Sequence, residues 1–265
     1  MSSRISIHTQ NTATRAAHRI ALIVLAVLAA VLLLTLADGQ WDIRISRFYF
    51  DARAHVFPWH VEPWVQQVLY YDGKLAAITL DLLLIGAVLT AAAVGSLPRR
   101  IALAATVGML AIPTVIALLK LISSTPCPWD LSIFGGTAAH HGLLTMPVGG
   151  SPGHCMPAGH PSAGLAIIGL ILPLAAAGRR QLALLATIAG LALGLAMGWL
   201  RIAQGAHFLS HVLWSLWISV AVALVTARSF GLSWAAADHS HEHSRSNSGH
   251  QSDFESNPRF VQRAR

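Results

Sequence analysis

Six long apolar runs constrain the fold of this chain more than any other feature of its sequence. A helix rises about 1.5 Å per residue, so about 20 mostly apolar residues cross the roughly 30 Å hydrocarbon layer of a bilayer. Inside that layer an α-helix pairs its own backbone polar groups. The sequence therefore predicts an all-α polytopic membrane bundle of about six helices, at residues 20–36, 75–97, 101–119, 162–177, 182–200 and 212–227.

The composition agrees with a membrane environment and argues against a nucleic-acid-binding protein. The chain is 54% hydrophobic and only 11% charged, with a mean hydropathy of +0.58. Its formal net charge is +7, but the basic residues stand in pairs between apolar runs and form no stripe with interleaved aromatic residues. We therefore expect a membrane lipid as the partner, and no nucleic acid.

The arginine residues predict the orientation of the bundle, because cytoplasmic loops are enriched in Lys and Arg. They fall on alternate sides of successive runs, at Arg4, Arg15, Arg19, Arg99, Arg100, Arg179, Arg180 and Arg228. Both termini are then cytoplasmic, and in a bacterium the intervening loops face the periplasm from the inner membrane. We divide the chain into a cytoplasmic N-terminus (1–19), a first span with a periplasmic interfacial segment (20–74), a membrane core (75–227) and a disordered cytoplasmic tail (228–265).

Three polar clusters fall on the predicted periplasmic side. Lys120 ends the third run and is followed by Cys127-Pro128 after six residues. Residues 157–160, Pro-Ala-Gly-His, precede the fourth run, whose helix start offers free N–H groups and a positive dipole end to an anion. Arg201, His207 and His211 join the fifth and sixth runs, and a helix from His207 onward would place both histidines on one face.

These clusters resemble, in order and spacing, the three motifs of the type 2 phosphatidic acid phosphatase family, which is related to vanadium haloperoxidases. The family pattern is Lys, six residues, Arg-Pro; then Pro-Ser-Gly-His; then Ser-Arg, five residues, His, three residues, Asp. This chain departs from it at four positions, where Cys127 stands for Arg, Ala158 for Ser, Leu200 for Ser and His211 for Asp.

The resemblance implies a phosphatase that needs no metal or other cofactor. It assigns the nucleophile to His207, which would form a phosphohistidine, and the proton-transfer role to His160. Lys120, Arg201 and the backbone at Ala158 and Gly159 would bind the phosphate, since phosphoryl transfer mainly requires positioning and charge stabilisation. We hypothesise that His211 orients His207 in place of the family's Asp.

Two further expectations concern packing and covalent structure. Cys127 and Cys155 lie in one loop of a compartment that should be oxidising, so we hypothesise a disulfide between them. Gly190, Gly194 and Gly198 recur every fourth residue and should let another helix of the bundle approach closely.

The expected reaction is hydrolysis of a lipid-linked phosphate or diphosphate at the periplasmic face. Three alternatives stay open at this point. The first is a lipid phosphotransferase, and the second is a non-catalytic lipid-phosphate binder or transporter. The third is a zinc site formed by His160, His207 and His211, because histidines four residues apart present two imidazoles on one helix face.

Overall fold

The computed structural model describes residues 2–140, 142 and 153–232. Most of these residues are helical, and no strand beyond isolated bridges occurs among them. Residues 233–265 of the predicted disordered tail lie outside the described part. The α-helices are α1 (Ser2–Leu36), α2 (Gln40–Tyr49), α3 (Pro58–Val61), α4 (Gly73–Ala93), α5 (Arg99–Leu121), α6 (Ser162–Leu165), α7 (Ile171–Ala176), α8 (Arg180–Ala203) and α9 (Leu209–Ser229).

Five helical segments within the described ranges are long and apolar enough to cross a membrane. They are Ala16–Leu36, Val65–Ala93, Arg99–Leu121, Arg180–Ala203 and Leu209–Ser229. Many of their large apolar side chains are exposed on the outer face of the bundle, as expected for helices surrounded by lipid. The prediction of an all-α integral membrane bundle is confirmed.

The predicted fourth span differs in form from the other five. It consists of α6, a 3₁₀ segment at Ala166–Leu170 and α7, and Ser162–Ala176 covers only about 22 Å at helical rise. Every residue from Pro161 to Leu170 is buried. This broken helix is therefore the centre of the bundle, and the longer helices pack around it.

Glycines let the surrounding helices reach the central one. A Cβ on Gly164 would lie 2.6 Å from the backbone nitrogen of Gly194, and a Cβ on Gly169 would lie 2.5 Å from that of Met109. Along α8, a Cβ on Gly194 would meet Leu165, and one on Gly198 would meet Val212. The expected close packing along the glycine repeat of α8 is confirmed.

A small apolar cap covers one end of the bundle. Its core consists of Ile43, Phe57, Leu131, Phe134 and Phe208, contributed by α2, two loops and the turn before α9. Two 3₁₀ turns, Pro128–Asp130 and Ser132–Phe134, follow Cys127 in this cap. The cap thereby holds the loop after α5 against the end of the bundle where the polar clusters lie.

Candidate phosphate site

The three polar clusters meet at the capped end of the bundle, where α5 and α8 end and α6 and α9 begin. The backbone amide of Ala158 donates to the carbonyl of His211 at 3.2 Å, and the Ser215 hydroxyl lies 2.9 Å from the Ala158 carbonyl. The Trp129 amide donates to the Gly205 carbonyl at 3.0 Å. These bonds join the loop after α5 and the segment before α6 to the α8–α9 connection.

Three cationic side chains, Lys74, Lys120 and Arg201, line one cavity at this end. A Cβ on Gly159 would lie 3.9 Å from the Lys120 Nζ, so the ammonium group sits directly beside the Gly159 backbone. Arg201 is only 9% exposed, and its Nη1 donates to the Gln204 side-chain oxygen at 2.5 Å. Clustered, partly buried cations repel one another, and a bound anion removes that cost.

The ring of Tyr70 holds two of the predicted site residues. Its centroid lies 4.7 Å from that of the His160 ring, with the planes inclined by only 20°. The Arg201 Cζ lies 4.4 Å from the same centroid and 5.5 Å from the centroid of the Trp129 ring. Cation–π contacts of this kind contribute about 1–2 kcal/mol when they are shielded from water. Tyr70 therefore fixes the positions of His160 and Arg201 relative to each other.

His160 is buried immediately before the central helix. Burial, together with the positive charges of Arg201 and Lys74, lowers its pKa to about 3. Neither ring nitrogen has a hydrogen-bond partner among the described residues. A dianionic phosphate in the cavity would oppose these cations and raise this pKa, which would make protonated His160 available as an acid.

His207 lies in the connection between α8 and α9 and is 3% exposed. Burial holds its pKa well below the usual value of 6.5, and the neighbouring His211, Arg201 and Lys120 act in the same direction. The ring is therefore neutral at neutral pH, and a neutral imidazole keeps a lone pair on one of its nitrogens. A neutral, pre-positioned imidazole that lines an anion-binding cavity is suited to nucleophilic attack.

The comparison with known families agrees with this arrangement. The model of the PAP2 superfamily matches residues 101–235, slightly more than half of the chain. The chain belongs to the PAP2 superfamily. No curated protein and no solved structure matches it. Members of the superfamily are phosphatases, which supports hydrolysis of phosphate esters by this PAP2 protein.

Two of the departures from the family pattern have structural consequences. Cys127 and Cys155 form a disulfide that joins the loop after α5 to the segment before α6. The Cys155 sulfur lies 3.4 Å from the Nδ1 atom of His207. In this PAP2 protein a covalent crosslink therefore starts at the position where the family pattern has a phosphate-binding arginine.

His211 does not contact His207 in the way we expected. The ring centroids are 5.8 Å apart with the planes at 70°, and neither nitrogen of His211 has a hydrogen-bond partner of good geometry in the described part of the chain. The backbone carbonyl of Cys155 approaches both rings. A direct hydrogen bond from His211 to His207 is not observed among the described residues, and the orienting role of His211 stays a prediction.

The cavity extends from the polar end into the membrane-spanning part of the PAP2 bundle. Its volume is about 490 Å³, and it runs between α4 and α5. Lys120, Arg201, Gly159, His160 and His207 line the polar end. The deeper walls are mainly apolar, apart from Asp81, and comprise Ile78, Leu82, Ile85, Met109, Leu110, Pro113, Ala117 and Ala163.

Tyr70 and Lys74 are not among the site residues predicted from the sequence, because both precede the predicted second span. In the structure the helix begins ten residues before that prediction, with a π-helical segment at Val65–Asp72 that continues into α4. Tyr70 and Lys74 are four residues apart, so helical periodicity places them on one face. Two polar side chains four residues apart beside a predicted span are the sequence signal that could have identified these site residues.

Proposed function

We propose that this PAP2 protein hydrolyses a lipid-linked phosphate or diphosphate at the periplasmic face of a bacterial inner membrane. The supporting observation is the single cavity that joins three cationic side chains to an apolar groove between two membrane-spanning helices. A lipid phosphate matches the two parts of this cavity, because its charged head lies at the membrane surface and its hydrocarbon chain lies in the bilayer. A soluble phosphate ester has no part that requires the groove.

In the proposed reaction, the free nitrogen of His207 attacks phosphorus. A new N–P bond forms, and the P–O bond to the lipid breaks. Lys120 and Arg201 neutralise the charge on the phosphoryl oxygens, and the backbone amide of Gly159 would do the same, since that of Ala158 donates to the His211 carbonyl. His160 gives its proton to the departing lipid oxygen, which leaves as an alcohol or, from a diphosphate, as a lipid monophosphate.

The second half of the reaction regenerates the protein. Water attacks the phosphohistidine, neutral His160 takes a proton from this water, and inorganic phosphate leaves. The same histidine thus acts as acid in the first step and as base in the second. The Cys155 carbonyl, which approaches the His207 ring, keeps it oriented throughout.

The test is phosphate release by purified full-length protein in detergent micelles. The substrates are a diacylglycerol phosphate, a polyprenyl diphosphate and a short soluble phosphate ester, all measured with excess EDTA. We expect release from at least one lipid that survives EDTA, with much slower release from the soluble ester. Transfer of phosphate to an added lipid alcohol without free phosphate would identify a phosphotransferase, and no turnover of any substrate would overturn the proposal.

A further inference from the structure

A set of three potential metal ligands includes His207, the proposed nucleophile. The Cys155 sulfur and one ring nitrogen each from His207 and His211 all lie within 4.8 Å of one another. All three residues are buried, with 0%, 3% and 1% of their surfaces exposed. The zinc alternative suggested by the sequence combined the two histidines with His160, whereas in the structure Cys155 takes the third position.

The spacing between Cys155 and His207 in this set fits zinc. Zn–S bonds of about 2.3 Å and Zn–N bonds of about 2.0–2.1 Å in tetrahedral geometry place sulfur and nitrogen ligands about 3.5 Å apart. The Cys155 sulfur and the His207 Nδ1 are 3.4 Å apart. A neutral, buried histidine is the protonation state that binds a metal, and His211 makes no hydrogen bond of good geometry among the described residues that metal binding would break.

The disulfide determines whether the third ligand exists. A thiolate is the sulfur species that binds zinc, and the sulfur of an intact disulfide is not a thiolate. While Cys127 and Cys155 are bonded, the site therefore offers only two good ligands. Lys120 and Arg201, whose charges act on this site, repel a dication, so two neutral imidazoles alone should bind zinc weakly.

We propose that Cys155, His207 and His211 form a Zn²⁺ site that opens when a dithiol reduces the Cys127–Cys155 disulfide. The dithiol is oxidised to its own disulfide as the S–S bond breaks, which leaves two cysteine thiols. Cys155 then loses a proton to solvent as its sulfur binds Zn²⁺. The new negative charge offsets part of the repulsion from Lys120 and Arg201.

Zinc at this position blocks the reaction of His207. With the ion on the Nδ1 lone pair, the other ring nitrogen carries the proton of the neutral imidazole and has no lone pair for attack on phosphorus. The metal thus converts a nucleophile into a ligand without entering the phosphate cavity. Metal binding itself does not depend on the proposed function, whereas inhibition by the metal does.

Direct binding tests the site. Cys127→Ser leaves the Cys155 thiol free without a reductant, while the double variant Cys127→Ser/Cys155→Ser loses the disulfide and the ligand together. We expect Cys127→Ser to bind one more Zn²⁺ per chain than the double variant in equilibrium dialysis. With Co²⁺ as the probe, only Cys127→Ser should show a thiolate-to-cobalt charge-transfer band. Histidines elsewhere in the chain, including His239, His241, His243 and His250 of the tail, are common to both variants and cancel.

Three further measurements complete the test. Adding His211→Ala to Cys127→Ser should remove the extra Zn²⁺ and the cobalt band, and wild-type protein should gain both only after treatment with a dithiol. Equal metal binding by Cys127→Ser and the double variant would overturn the site. If phosphate release is observed, Zn²⁺ should abolish it in Cys127→Ser and EDTA should restore it. Extra zinc without inhibition would overturn the blocking role and leave the phosphatase proposal intact.

Discussion

The ring of Tyr70 lies nearly parallel to that of His160, with the centroids 4.7 Å apart, and its face also lies 4.4 Å from the Arg201 Cζ. One aromatic side chain from the start of a membrane-spanning helix thus orders two residues from two other segments. It connects the π-helical segment before α4 with the segment before α6 and with α8. The apolar wall and the polar end of the cavity therefore meet at one aromatic side chain.

The ring of Tyr70, and not its hydroxyl, should matter for activity. Tyr70→Leu should lower kcat/KM about tenfold, because a shielded cation–π contact contributes about 1–2 kcal/mol and about 1.4 kcal/mol corresponds to a factor of ten. Tyr70→Phe keeps the ring and should stay within about twofold of wild type. Trp64→Leu, an exposed aromatic residue of the same region, is the control. Equal activity of Tyr70→Leu and wild type would show that the stacking is not needed.

A large side chain in the groove should separate lipid from soluble substrates. Leu110 lines the cavity on α5, and Leu118 is a similarly exposed leucine of the same helix that does not line it. Leu110→Trp should lower kcat/KM for a long-chain lipid phosphate at least tenfold and leave a short soluble phosphate ester nearly unchanged. Leu118→Trp should affect neither substrate. An equal loss on both substrates in Leu110→Trp would argue against the groove as the site of the lipid chain.

Asp42 should make the stability of the protein depend on pH. This carboxylate of α2 accepts the Ser210 amide and hydroxyl at the start of α9, and burial raises its pKa from 3.8 to about 6. The folded state therefore binds more protons than the unfolded state between about pH 4 and 6, so this group's contribution to stability falls as the pH rises through that window. The change amounts to at most about 3 kcal/mol.

The variant Asp42→Asn should lack this dependence, because the amide does not titrate. In detergent, we expect the thermal unfolding midpoint of wild type to fall relative to that of Asp42→Asn as the pH rises from 4.5 to 7. Asp72→Asn, at an exposed position, should show no such shift. A difference that stays constant with pH would mean that Asp42 does not titrate in this range.

Much of the fold follows from elementary periodicity and bilayer thickness. Each of the five candidate spans overlaps an apolar run that the sequence marks, since length and hydropathy suffice to identify such helices. The 3₁₀ break in the central helix was not predicted. It depends on tertiary contacts, since Gly164 and Gly169 admit other backbones at distances that a side chain would forbid.

The site was predictable where motif spacing carried the information and not elsewhere. The sequence placed Lys120, His160, Arg201 and His207 in three motifs, and in the structure these residues line one cavity. Tyr70 and Lys74 belong to no motif, and only the folded arrangement of α4 brings them to the site. The position of the Cys155 sulfur beside His207 could not be read from the sequence, because two cysteines alone do not reveal which side chain they will contact.

The most direct test of the central claim is to trap the phosphohistidine. Protein mixed with ³²P-labelled lipid phosphate in EDTA is quenched with denaturant and then held in acid or in alkali. We predict a label that acid removes and alkali leaves, on wild type but on neither His207→Ala nor His207→Gln, with both variants unfolding at temperatures close to that of wild type. A label that persists in the folded His207 variants, or lipid hydrolysis that continues in them, would contradict the account.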